Sequence, residues 1–311
     1  MKRPLFYATL FMMFIAVQAS VLSEEVVPVM SSEDLQVKIT AHIKEFEIPP
    51  QEPRFDTIWQ FVPGLEGIEF DFELSYQNML ANGVFDPRLM VGNSIPYQDC
   101  SSNFRQHRLY RGHENSPYVG LLINVAWGGE ELLQMLDILD EYEIQASLFF
   151  EGKYAKNNRE LVQKAFDRGH LVGNHSYSHP AGWLNLSYEG FLDELEKTND
   201  VLSDVIGEEI VYFAPPGGAF NDATVQAAYD LGMYTVLWTA DTIDWRGESA
   251  SVLIDRIRKR ISPGGLILTH PKPETVIALP EIIEHVRSLG LDFRRVDDII
   301  SGVHTGQFTS E

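Results

Sequence analysis

Gly169-His170-Leu171-Val172-Gly173-Asn174-His175-Ser176-Tyr177-Ser178-His179-Pro180 decides the fold of this chain. The apolar pair Leu171-Val172 reads as a buried strand that runs into two histidines four residues apart, with Pro180 closing the turn behind them. Two imidazoles held in so short a turn can converge on one divalent metal ion. The same pair also suits two packed, hydrogen-bonded rings.

On both sides of this stretch the pattern is regular from residue 118 onward. Apolar runs suited to buried strands fall at 119–125, 146–150, 171–172, 210–213, 234–237, 266–269 and 292–295. Between them lie stretches of helical period at 130–142, 154–168, 187–206, 222–231, 249–261 and 275–289. Gly169, Gly207, Gly232 and Gly290 stand where left-handed helix caps belong. About seven strands alternating with helices predict an α/β fold, a distorted (β/α) barrel with a parallel sheet.

The unusual side chains then fall at one end of that barrel. Trp127 and Glu130 follow the first strand, His175 and His179 the third, and Pro215-Pro216-Gly217 the fourth. Asp241, Asp244 and Trp245 follow the fifth, and His270 the sixth. Parallel barrels assemble their sites at the carboxyl ends of strands, so these clusters are expected to meet.

Upstream, Met1-Lys2-Arg3 precedes an uncharged run from Pro4 to Leu22, with Val17-Gln18-Ala19 suited to cleavage after Ala19. This reads as a signal peptide over residues 1–19 and predicts a secreted or cell-envelope protein, or one anchored in the membrane by an uncleaved leader. Residues 20–53 read as an acidic, proline-broken linker with a helix near 34–46. Residues 54–117 form a smaller N-terminal accessory region, with strand-like alternation at 68–74 and a helix near 75–81. Residues 301–311 are a tail. The lone Cys100 permits no internal disulfide. A net charge of −21 argues against nucleic acid as a partner and against charge attraction to anionic polymers or lipids.

The histidine stretch, together with Phe213-Ala214-Pro215-Pro216-Gly217, Asp241-Thr242-Ile243-Asp244-Trp245 and Leu266-Ile267-Leu268-Thr269-His270, resembles the polysaccharide deacetylase family, the NodB homology domain. The resemblance spans residues 118–300. It implies a distorted (β/α) barrel and a divalent metal, usually zinc, used to remove acetyl groups from N-acetylated glycans such as peptidoglycan or chitin. Asn124-Val125-Ala126-Trp127-Gly128 and Tyr110-Arg111-Gly112 resemble a subgroup from spore-forming, Gram-positive bacteria.

Three family positions depart from the pattern. Where the first motif carries two aspartates, the general base and a metal ligand, this chain has Ala126 and Trp127. Where the third motif begins with an arginine that orients the base, it has Ala214. The resemblance makes His175 and His179 metal ligands, His270 the general acid, Asp241 its tuning carboxylate and Gly217 a backbone donor to the oxyanion. Glu130 is the candidate third ligand, and equally a solvated first-turn glutamate. Trp127, Trp245 and Pro216 are expected to bind substrate, with Trp183 as a further aromatic, although Trp127 could instead plug the metal cavity. His270 could instead bond only to backbone.

Losing a positioned base costs about 10²–10⁴ in rate, so an efficient enzyme is not expected. Two readings follow. One is an exported hydrolase of C–N amide bonds in N-acetylated sugars with impaired or altered catalysis. The other is a catalytically inactive glycan-binding or envelope-organising protein that retains the deacetylase fold. A third places a partner surface on residues 54–117.

Overall fold

The computed structural model describes residues 29–97 and 105–302. The leader, Cys100 and most of the tail lie outside those residues. The chain opens with α1 (Ser32–Phe46), whose N-cap Ser31 accepts the Asp34 N–H. There follow β1 (Arg54–Asp56), β2 (Gln60–Val62), β3 (Gly67–Phe70), α2 (Phe72–Leu80), β4 (Gly92–Ile95) and β5 (Arg108–Leu109). Leu35 and Ile39 of α1 share a small core with Ile68, Phe70, Met79 and Met90. The stretch read as a linker therefore carries a packed helix. The alternation at 68–74 ends at Phe70, because Asp71 caps α2 by accepting the Leu74 N–H.

The main domain is β6 (Tyr118–Val125), α3 (Gly129–Glu141), β7 (Ser147–Phe150), α4 (Gly152–Asn157), α5 (Arg159–Asp167), β8 (Leu171–Asn174), α6 (Tyr188–Ile206), β9 (Tyr212–Phe213) and α7 (Asp222–Asp230), continuing through β10 (Tyr234–Val236), β11 (Ala240–Asp241), α8 (Ala250–Arg258), β12 (Leu266–Thr269), α9 (Pro273–Ser288), β13 (Asp292–Arg294) and α10 (Val296–Ser301). Each expected strand is present within two residues. The helix expected over 154–168 is two, broken at Asn158 where φ is −130°. β11 and α10 are too short for periodicity to reveal.

The sheet order is β1-β2-β5-β10-β9-β8-β7-β6-β12-β11, with β13 also on β6. From β5 to β11 every pairing is parallel. β2 pairs with β5, so part of the region read as accessory extends this sheet. The sheet curls into the (β/α) barrel, but no ladder joins β10 to β11. Residues 237–239 carry the chain from β10 to β11: Leu237 N extends the β10–β5 pairing by donating to Leu109 O, and Thr239 N donates to Leu266 O at the start of β12, at 2.7 and 3.0 Å.

Strand parity separates two cores. Val119, Leu121, Ile123 and Val125 of β6 pack outward with Leu136, Leu139 and Ile283 of the helices. Leu122 packs inward with Phe149, Leu171, Ala214, Val236, Leu266 and Leu268. With a period of two, the inward row of β6 continues to Asn124 and Ala126, and that of β12 to His270.

Candidate active site

At the carboxyl ends of these strands a cavity of about 440 Å³ is lined by Asn124, Ala126, Trp127, His175, His179, Gly217, Trp238, Asp241, Trp245, Leu268 and His270. Residues spread over nearly half the chain meet there.

The histidine wall is tightly braced. Asn174, at the end of β8, donates through its side-chain amide to Leu195 O and Asn199 Oδ1, at 2.9 and 2.7 Å, and accepts the Ser176 N–H at 2.8 Å. Glu194 of α6 accepts from Tyr177 N, Ser178 N and Ser178 Oγ. Ser176 and His179 sit at φ +64° and +44°, a left-handed backbone that costs non-glycine residues free energy and persists only where such bonds enforce it. The imidazoles of His175 and His179 lie with centroids 5.1 Å apart. His175 is 2% exposed, and its Nδ1–H donates to Ala214 O at 2.7 Å, leaving Nε2 as a lone-pair acceptor. Burial, reinforced by His179, pushes its pKa down to about 3, so the ring is neutral.

The opposite wall departs from a metal centre. Gly128 turns at φ +73° after β6, and a Cβ there would lie 2.4 Å from Pro271 O, so β6 and β12 approach closely at this point. That approach lays Trp127 over His270, the rings nearly parallel at 8° with centroids 5.8 Å apart. Lys272 Nζ stands over the Trp127 ring at 5.2 Å. Trp127 remains 39% exposed and Trp245 52%.

Glu130 does not join the site. The Gly128 turn starts α3 so that Glu130 lies exposed in its first turn, away from the lining. Among the described residues no three His, Cys, Asp or Glu side chains are grouped to hold a metal. A catalytic zinc uses about three protein ligands. His175 and His179 supply two imidazoles, but Trp127 stands where the carboxylate would be. The donors present do not fit the expected metal.

Of the two aspartates in this motif, Asp244 is the one bonded to His270. Asp244, fully buried, accepts from His270 Nδ1, His270 N and Thr275 Oγ1, each at 2.7 Å. Burial is the largest influence on this carboxyl and raises its pKa, but the His270 and Thr275 bonds together outweigh it and hold the pKa below normal. Asp241 instead accepts the Ile243 N–H at 2.7 Å, which shapes the turn in which Ile243 takes φ +55°. Burial raises the pKa of Asp241.

Gly217 lines the cavity at φ +59°, with open space where a Cβ would stand. Pro216 is buried and lines an adjoining pocket with His179, Gly217 and Trp183 rather than the main cavity. Trp183 is 3% exposed and packs edge-on to Phe191 in the core, so it offers no open face. Asn124 escaped the sequence reading. It is 2% exposed, lines the cavity, and its carboxamide oxygen has no protein partner. Its inward parity on β6 was the available signal.

Residues 112–236 match the family model of polysaccharide deacetylase. A crystal structure of a CE4 family pseudoenzyme from Bacillus anthracis superposes with a TM-score of 0.81 at 36% identity, over 86% of this chain and 95% of that one. This chain belongs to the polysaccharide deacetylase family. A mutant of the B. anthracis pseudoenzyme, described as having restored enzymatic activity, matches with a TM-score of 0.80 at 35% identity, over 86% of this chain and 98% of that one. An uncharacterized Bacillus subtilis protein, YlxY, is 34% identical over 280 residues, 90% of this chain and 88% of that protein. The peptidoglycan-N-acetylmuramic acid deacetylase PdaA of B. subtilis is 25% identical over 61% of this chain and 74% of its own. Membership of the family thus extends to hydrolases and to a pseudoenzyme alike.

Proposed function

We propose that this protein is an exported member of the deacetylase family that binds N-acetylated glycan of the bacterial cell envelope and does not hydrolyse it. The observation that carries this reading is Trp127, which stands at the second aspartate position and stacks on His270. One substitution removes a ligand position and covers a face of the expected acid. Ala126 leaves no carboxylate at the base position, and Glu130 is outside the cavity. Three tryptophan side chains remain in the lining, and aromatic faces suit the apolar faces of sugar rings. The similarity to a pseudoenzyme and to peptidoglycan deacetylases supports the same reading.

Calorimetry with N-acetylated glucosamine oligomers and with muropeptides tests it, alongside an assay of released acetate. Binding without acetate release, unaffected by a chelator, is expected. Acetate release that a chelator abolishes would instead establish an impaired metal hydrolase.

A further inference from the structure

Resting on the glycan-binding reading, we infer that the cavity selects amino-sugar residues whose 2-amino group is free and protonated over residues that carry the acetyl group. A hydrolase must meet the acetyl oxygen with electrophilic groups, a metal and backbone N–H donors. Here the three-donor metal site is missing, and the remaining lining is rich in acceptors. Asp241 is the one carboxylate of the lining and makes no ion pair within 4 Å among the described residues. The carboxamide oxygen of Asn124, in a side chain almost wholly buried, has no protein donor. His175 spends its Nδ1–H on Ala214 O and keeps Nε2 as an acceptor.

Buried acceptors without donors are costly, and a partly buried carboxylate whose charge is met only at longer range, by His270 and Arg256, gains from a close cation. An ammonium brings three N–H donors and a positive charge, while an acetamide brings one N–H and an oxygen that meets other acceptors. No Lys or Arg lines the cavity. Indole rings favour a cation, as Lys272 over Trp127 and Arg246 over Trp245 already show at 5.2 and 4.9 Å, and Trp238 is the lining indole that carries none among the described residues. The net charge of −21 favours a cation's approach. The cavity therefore recognises what the active relatives would leave behind, the de-N-acetylated sugar.

Calorimetry on the purified chain with glucosamine trimers, fully N-acetylated and fully de-N-acetylated, decides this. Measurements at neutral pH and about 0.5 M salt screen the acidic surface. The amine trimer is expected to bind at least about tenfold tighter, equivalent to about 1.4 kcal/mol. Asp241→Asn retains an acceptor for the Ile243 N–H and should bring the ratio near unity through weaker binding of the amine trimer. Asn124→Ala removes a carboxamide oxygen that has no protein partner, so it should weaken the amine complex selectively, and serves if the first variant misfolds. Equal or tighter binding of the acetylated trimer, or a preference that both variants leave intact, overturns the inference while glycan binding stands. Binding of neither trimer overturns both.

Discussion

The two walls of the cavity have different support. The loop of His175 and His179 is braced by Asn174, Glu194 and Asn199 through hydrogen bonds that hold Ser176 and His179 in a left-handed backbone. Across the cavity, Ala126 and Trp127 are held by one tight turn and a ring stack on an exposed side. The histidine half of the site is built into the scaffold. The other half has Ala126 and Trp127 where the family's first motif carries two aspartates. Scaffold bonds stabilise the fold whether or not a reaction takes place, while a carboxylate that neither binds metal nor meets a cation is a desolvated charge with nothing to offset it.

Refurnishing the weaker wall should give the largest effect. Ala126→Asp, Trp127→Asp and Ala214→Arg together are expected to bind stoichiometric zinc by elemental analysis. They should raise acetate release by at least about 10²-fold, the lower range for a positioned base. A restored protein that still releases no acetate would show that the braced wall has also drifted from catalytic geometry.

Cutting the brace comes next. Glu194→Ala removes the acceptor for three loop donors and should cost about 2–4 kcal/mol in urea unfolding, with faster amide exchange at Tyr177 and Ser178. Lys272→Ala, on the other wall, should cost no more than about 1 kcal/mol. Equal costs would erase the contrast between the walls.

Acid should find the buried histidines. His175 and His170 have pKa values pushed down, chiefly by burial, to about 3 and about 4 from 6.5. The unfolded chain therefore takes up protons first as pH falls. Stability is full above about pH 6.5 and declines toward pH 4, with His170 contributing on the order of 3 kcal/mol by the acid end. His170→Asn, which can still accept the Ala146 N–H, should flatten part of that decline in melting temperature against pH. An unchanged slope would place the acid sensitivity elsewhere.

The smallest effect belongs to Trp127→Ala. Partly exposed, Trp127 should cost less than about 1 kcal/mol in stability. Its loss should still change the near-ultraviolet circular dichroism of the cavity and weaken glycan binding. A large destabilisation would mean that Trp127 serves mainly as a plug for the fold.

Much of this was legible before any coordinates. The paired histidines and the run after β6 announced both the family and its altered chemistry, because strand ends and motif spacing are local. What a local pattern does not carry is side-chain direction. Asp241 and Asp244 stand in the same short motif, and only the left-handed turn at Ile243 decides which carboxylate reaches His270. Glu130 stands only three residues after Trp127, but the Gly128 turn sends it to solvent. Asn124 looked like an ordinary strand residue until parity placed it inside the barrel.

The order of strands and helices, the acidic character and the missing aspartates were determined by the sequence itself, since hydrophobic period and residue identity act over a few positions. The tertiary structure alone decided that Trp127 lies on His270, that Asp244 holds that histidine, and how residues 237–239 carry the chain from β10 to β11. The sheet itself stays open between β10 and β11, and the stack and the Asp244 bond depend on contacts between strands separated by more than a hundred residues in the case of β6 and β12. They depend also on turn dihedrals that a one-dimensional pattern does not encode.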